Sequence, residues 1–379
     1  MFESITFALM PGMMGDNPIF SNPLIGILIF YAPLILLIFY GQKIQTWMIL
    51  GDVSKSVGKL KIMREKARKE AINYLNTTTK SETDMTPKVD QFLEYFTIMP
   101  IDMDPTGVMR KLEHIMTTRD ARMRDEVSKL VPDADPVTRS TLENMIEAAS
   151  ALNFIYKIVR HFYLLGKKSS SMFILAQLQM IMSMIMQEAD ALTGAMDAFK
   201  KAQPIGDGIG PMVVGKHMID AEKKEIAKDT VYAKTQIKGR SVYLLTAQGP
   251  AGNVGEPGNA IQKMVEEMKI KPCSIIMIDA ALKLEGEKIG EIAEGIGAAI
   301  GGIGVDRFKI EEVASKYNIP VYAIVIKQSI IDAISVMKKE IAESAERARQ
   351  VMESVLDEKT KEGDTIIIVG VGNTLGVAQ

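Results

Sequence analysis

Asp279 closes a short apolar run, Ser274-Ile275-Ile276-Met277-Ile278-Asp279, and is followed by Ala280 and Ala281. A run this short and rich in β-branched residues predicts a buried strand of a parallel sheet, with the carboxylate at its carboxyl end. Open α/β sheets bind their ligands at that end. Beyond it come Gly295, Gly297, Gly301, Gly302 and Gly304, a spacing too dense in glycine for a packed helix and suited to a compliant loop. A carboxylate at the mouth of a sheet beside such a loop can do acid–base chemistry, or simply anchor the loop through backbone N–H groups.

A second carboxylate, Asp207, lies in Gln203 to Gly210 (QPIGDGIG), a break between helical patterns. With Gly208-Ile209-Gly210-Pro211 after it, Asp207 is suited to N-cap a helix over Pro211 to Ile226. Two glycine patterns suggest nucleotides. Gly370-x-Gly372 follows an apolar strand pattern, Thr365 to Val369, but a dinucleotide fingerprint needs a helix directly behind it to hold the pyrophosphate. The sequence reaches Gln379 without one, so no nicotinamide cofactor is expected. The loop Gln248 to Gly258 precedes a helical pattern, and reads either as an anion cradle or as a plain surface loop.

The elements that must position these groups alternate. Strand patterns over Arg240 to Ala247, Ser274 to Asp279, Pro320 to Ile326 and Thr365 to Val369 are separated by helical patterns over Asn259 to Lys269, Ile310 to Tyr317 and Ser329 to Asp357. Such alternation predicts a mainly parallel sheet with helices on both faces, an α/β domain over 203–379. Before it, 89–202 reads as almost wholly helical, broken at Asp102 to Pro105 and at Val131 to Pro136, where Asp residues are placed to cap the next helix. The segment Ser171 to Gln187 is apolar for most of a membrane span but interrupted by Gln177, Gln179 and Gln187. It reads as a buried or oligomer-forming helix in preference to a second span.

Composition narrows the rest. The 379 residues carry 45 Lys and Arg against 47 Asp and Glu, so no basic footprint for nucleic acid is expected. One cysteine, Cys273, and three histidines, His114, His161 and His217, exclude a disulfide framework and make a histidine-rich metal site unexpected. The 26 methionines suit an adaptable helical core or a self-assembly surface. Near the start, Pro23 to Tyr40 (PLIGILIFYAPLILLIFY) has no charge, and extended to 20–41 it is long enough for one transmembrane helix. Eight Lys or Arg lie between Lys43 and Lys69 and none before the apolar run; the positive-inside rule then puts the bulk of the chain in the cytoplasm. Residues 1–19 form a short outer segment, and 51–88 an amphipathic helix with a polar linker. The recurrence of Leu60, Met63, Ala67, Ala71 and Leu75 marks the buried face of that helix. Its basic face could meet lipid headgroups or be merely solvated.

The stretch SIIMIDAAL, the loop EGIGAAIGGIGVDR and then NIPVYAIVIKQSIIDAISV resembles the core of the spore germination protease family. Asp279-Ala280, Gly295 to Val305, Pro320-Val321 to Ile324 and Ile331-Asp332-Ala333 match its strand end, glycine loop, following strand and helix start. Asp207 to Val214 resembles a second stretch of that family, and also a stretch of the hydrogenase maturation endopeptidases, which share the fold. In both families this piece directly follows a strand and a G-x-G-N loop; here the matching IIIVGVGN lies at 366–373. The resemblance therefore implies a circular permutation that brings Asn373 and Asp207 together near Asp279. The chain as a whole also resembles a family of archaeal membrane-anchored proteins of this length.

By this resemblance Asp207 and Asp279 are the catalytic pair of an atypical acid peptidase, one carboxyl holding a proton while the other activates water. Gly208, Gly210, Gly301, Gly302, Gly304, Gly372 and Asn373 would then shape the ligand-binding loops. The maturation endopeptidases use the corresponding acids with a histidine to hold metal. No histidine follows Asp279, and only His217 is at hand, so no metal or other cofactor is expected. The expectation is a single-pass, cytoplasm-facing, membrane-anchored peptidase or related hydrolase, with membrane lipid and a second copy of the chain as partners. The alternative is a non-catalytic tethered scaffold whose pocket is vestigial or binds a small ligand.

Overall fold

A computed structural model describes residues 23–79, 85–95, 107–302 and 304–379. The outer segment 1–19, residues 20–22 of the extended apolar run, 80–84 of the 77–88 linker, the break at Asp102 to Pro105 and Ile303 lie outside the described residues.

Among the described residues the helix α1 (Pro23–Thr79) comes first and is 57 residues long, about 85 Å at the α-helical rise. The apolar run and the amphipathic segment, read as separate helices, belong to this one helical stretch, which includes Pro33. Among the described residues four more helices follow: α2 (Thr86–Leu93), α3 (Val108–Leu130), α4 (Pro136–Ser169) and α5 (Met172–Lys200). The break before α4 is capped as expected, for Asp135 Oδ1 accepts from the N–H groups of Val137, at 2.9 Å, and Thr138, at 3.1 Å.

By its packing the chain divides into two bodies. One comprises Met1–Gly58 with Ile158–Ser183. It buries Ile49, Val53, Leu175 and Leu178 but leaves Trp47 78%, Phe173 70% and Met180 76% exposed. The other comprises Lys59–Lys157 with Met184–Gln379. In its helical part Leu60, Ala67, Ala71 and Leu75 are buried, the face that the spacing predicted, together with Leu142, Met145, Ile146 and Leu152. Asn153 ties three elements of this part together: its Oδ1 accepts from Arg64 Nε at 2.7 Å, and its Nδ2 donates to the Leu93 carbonyl at 2.6 Å.

The α/β part holds a seven-stranded sheet in the order β1-β2-β3-β7-β4-β6-β5. The strands are β1 (Lys223–Ala227), β2 (Thr230–Ile237), β3 (Arg240–Ala247), β4 (Ser274–Leu282), β5 (Ile292–Ile296), β6 (Val321–Gln328) and β7 (Thr365–Gly370). The centre, β3-β7-β4-β6, is parallel throughout, while β1, β2 and β5 pair antiparallel at the two edges. The sheet is therefore mixed. The interspersed helices are α6 (Ile209–Gly215), α7 (Pro257–Glu266), α8 (Val305–Tyr317), α9 (Ile330–Ile334) and α10 (Lys339–Lys359).

Alternation along the strands splits the core in two. Ile276, Ile278, Ile366 and Ile368 pack with residues of α6 and α10 on one face, and Ile275, Met277, Ile367 and Val369 with residues of α7 and α8 on the other. Three expectations are corrected. The helix read over Pro211 to Ile226 ends at Gly215, and Lys223–Ala227 is an edge strand. Part of the glycine loop, Ile292–Ile296, is a strand against β6. The long helix read from Ser329 breaks at Ser335 into α9 and α10.

Candidate active site

β4 runs three residues past Asp279, and what makes Asp279 a mouth residue is the departure of β7. The β4–β7 ladder ends at Ile278 opposite Gly370. The last contact is Val371 N–H donating to the Ile278 carbonyl at 2.8 Å, after which the chain turns away over the sheet end. Asp279 is the next residue on β4, at the point where β7 leaves the ladder. It is 6% exposed. Its Oδ1 accepts from the N–H of Ala280 at 2.7 Å, and the Gly301 N–H also faces the carboxylate.

Asp207 reaches the same place from the opposite end of the domain. It sits in a 3₁₀ turn, Gly206–Gly208, that leads into α6. The break between α9 and α10 holds this turn: Met337 N–H donates to Pro204 O at 2.7 Å, and Ile205 bridges Val336. The loop after β7 closes on the other side, where Asn373 N–H donates to Asp207 Oδ2 at 2.7 Å. The loop after β7 thus lies beside the Asp207 turn. Gly372 is obligatory in this contact, since its φ is +133° and a Cβ there would stand 1.9 Å from the Asp207 carbonyl. Gly210 is equally constrained, because a Cβ would lie 2.3 Å from Val371 O and 2.4 Å from Ile278 O. Glycine at 210 lets α6 start directly on the ends of β4 and β7.

Asn373 itself is pinned. Its Nδ2 donates to Gly252 O at 3.0 Å, and its Oδ1 accepts from Leu375 N–H at 2.9 Å. Thr374 Oγ1 lies 3.0 Å from Gln248 O and accepts from Asn253 N–H at 3.1 Å. The 248–258 loop is therefore spent on fixing the β7 loop, as a structural element. A cleft of about 270 Å³ opens beside it, lined by Arg119, Arg124, Glu143, Glu147, Gly252 and Asn253 among others.

Electrostatics sets the two carboxyls apart from ordinary ones. Burial pushes Asp279 up, the charge of Asp207 pushes it further, and the Ala280 and Gly301 N–H groups only partly offset this, leaving it at about 8. Asp207 is also raised, by burial, against the opposing Asn373 N–H. Both carboxyls are thus raised above the ordinary aspartate range, with the charge of Asp207 acting on Asp279.

The remaining expected residues are distributed unevenly. Gly208 packs against the Asn373 carbonyl, with a Cβ there 2.8 Å away. Gly302 and Gly304 adopt φ of +87° and +92°, and Gly304 is the N-cap of α8. Gly301 and Gly302 have open space around them. Burial lowers the pKa of His217, and the charges acting on it are those of Arg349, Glu353, Lys216 and Glu346. Among the described residues no group of three or more His, Cys, Asp and Glu is arranged to hold a metal ion. Gln328, the last residue of β6, packs against Gly206 of the Asp207 turn, a contact that no sequence pattern singles out. A lone amide at a strand end carries no sequence signal that separates it from a surface glutamine.

Such a site belongs to an α/β domain that carries a carboxylate pair at the carboxyl end of its parallel strands. Residues 27–202 match the family model described as "Protein of unknown function (DUF1512) N-terminal domain", and residues 205–378 match "Domain of unknown function (DUF1512) C-terminal". The chain is thus composed of the two DUF1512 domains. Among curated proteins it is 30% identical over 162 residues to the germination protease of Clostridium perfringens strain SM101, and to the same degree to that of strain 13. The match covers 42% of this chain and 43% of the protease, so the chain spans under half the length of the curated relatives it matches.

Proposed function

We propose that the protein is a membrane-anchored peptidase or related hydrolase that uses Asp207 and Asp279 as a proton-sharing pair. The observation that carries this reading is the burial of Asp279 at the mouth of the sheet within the field of a second carboxylate, which raises its pKa to about 8. Asp279 holds the proton. Asp207, steadied by the Asn373 N–H, is the carboxylate. In the reaction Asp207 takes a proton from water as the water oxygen bonds to the carbonyl carbon of the scissile amide, and Asp279 donates a hydrogen bond to the carbonyl oxygen. Collapse of the tetrahedral adduct breaks the C–N bond. The proton passes to the leaving nitrogen, giving a carboxylic acid and an amine. The distant likeness to the germination proteases supports peptide bonds as substrate.

The anchor is the uncharged run within α1, followed by basic residues that favour the cytoplasmic side. The exposed Trp47, Phe173 and Met180 of the same body suit contact with lipid or with a second copy of the chain. Met172–Lys200 is also long and apolar enough to cross a membrane. The competing reading, a tethered scaffold with a vestigial pair, draws on the near-complete enclosure of Asp279 at 6% exposure.

The experiment is hydrolysis of an unfolded polypeptide such as reduced casein by the purified full-length protein and its Asp279→Asn and Asp207→Asn variants. Activity lost in both variants while their circular dichroism is unchanged supports the reading. Equal activity in a variant, or none in the parent, contradicts it.

A further inference from the structure

Gln328 ends β6 with its side chain 1% exposed, and among the described residues neither its Oε1 nor its Nε2 has a hydrogen-bond partner. Its backbone is occupied, since Lys283 N–H donates to the Gln328 carbonyl at 2.9 Å. The carboxamide lies against the turn that carries Asp207: a Cβ on Gly206 would stand 2.5 Å from Gln328 Oε1 and 2.1 Å from the Asp332 carbonyl. Gly206 has no side chain because this amide and the start of α9 occupy that space. A buried amide with both its donor and its acceptor idle is rare in folded proteins, and each such group calls for an explanation.

We propose that Gln328 is a substrate-binding residue that pairs with a backbone amide of an extended polypeptide at the Asp207–Asp279 site. The chemistry is complementary, since a carboxamide offers one acceptor and two donors, the counterpart of a peptide C=O and N–H. The position suits it, for Gln328 stands at the carboxyl end of the strand beside β4, where such sheets bind ligands. Turning the side chain out breaks no hydrogen bond, so binding forms new bonds without giving up old ones. The proposal rests on the reading of the site as one that cleaves peptides, and it assigns the recognised group as the amide backbone, independent of side-chain identity.

The test uses full-length protein carrying Asp279→Asn, so that nothing is cut, and fluorescein-labelled, reduced and carboxymethylated α-lactalbumin followed by anisotropy. Gln328→Met keeps the length and loses both polar atoms. It is expected to weaken binding at least tenfold while the thermal midpoint stays level or rises, because an idle buried amide is replaced by an apolar group of similar shape. Gln328→Glu keeps an acceptor, loses the donors and is expected to weaken binding as well. Equal binding by Gln328→Met, or no binding by the parent, overturns the proposal. So does a fall in midpoint that accounts for the loss of binding in both variants. Cleavage of the same polypeptide by protein with Asp279 intact separates the two ideas. Binding that depends on Gln328 without cleavage contradicts the hydrolase and supports the amide site; cleavage indifferent to Gln328→Met does the reverse.

Discussion

Asp279 is a carboxylic acid kept from ionising by its surroundings, and this has a consequence for stability separate from catalysis. Its folded pKa, about 8, lies above that of an unfolded aspartate. Between the two values the folded protein binds the proton and the unfolded chain does not. The group's contribution is therefore fully present below about pH 4 and is lost as pH rises to about 8. Urea denaturation should show the parent losing stability relative to Asp279→Asn across that window, with a slope approaching about 1.4 kcal/mol per pH unit. Parallel curves would contradict the shifted pKa. Gly372 makes a second prediction at this scale. Alanine there meets the Asp207 carbonyl and must hold φ at +133°, so Gly372→Ala should cost on the order of 3 kcal/mol in urea denaturation and remove any hydrolytic activity.

The Asp207 turn is held by elements remote in sequence, and these were the least legible. The pattern over Ser329 to Asp357 is continuously amphipathic, yet the helix breaks at Ser335, where the chain pairs with Ile205 and donates to Pro204. Nothing local announces that pairing. The Lys-rich segment that contains β1 has helical composition, and becomes a strand because β2 offers it an edge; charged, exposed residues are usual on such an edge. Gly295 in β5 reads as loop until β6 supplies a register. In contrast, β4 and β7 are continuous apolar runs buried on both faces, and both were legible from composition alone. In α9, Asp332 completes the capping box of the N-cap Ser329 and lies 2.6 Å from Lys338 Nζ. Burial alone would raise its pKa, but Lys338 and Ser329 hold it below the usual value. Its contribution is thus present above the ordinary carboxylate pKa and lost as pH falls through the depressed one. Asp332→Ala should cost about 2 kcal/mol at pH 7 and less at pH 3, measured by urea denaturation.

At the scale of the whole molecule, the long first helix joins an uncharged N-terminal run to a basic, amphipathic one, and the helices beyond bring exposed Phe and Met with them. If the run sits in a bilayer, the full-length protein should remain in the membrane fraction through alkaline carbonate and high salt, and be released only by detergent. Release by carbonate would contradict the anchor. The distribution of Asp207, Asp279 and Asn373 over 166 residues of separation between hydrogen-bond partners means that the site exists only in the folded α/β part. Any condition that frees the β7 loop should abolish it.

The proposed reaction requires Asp207 and Asp279 to be electrostatically coupled, and titration of the Asp279 carboxyl by ¹³C NMR in the parent and in Asp207→Asn reads that coupling. The expected result is a midpoint near 8 in the parent, with the Asp207 charge contributing, and a clear fall when that charge is removed. A parent midpoint near 4, or one that does not move in Asp207→Asn, would contradict it.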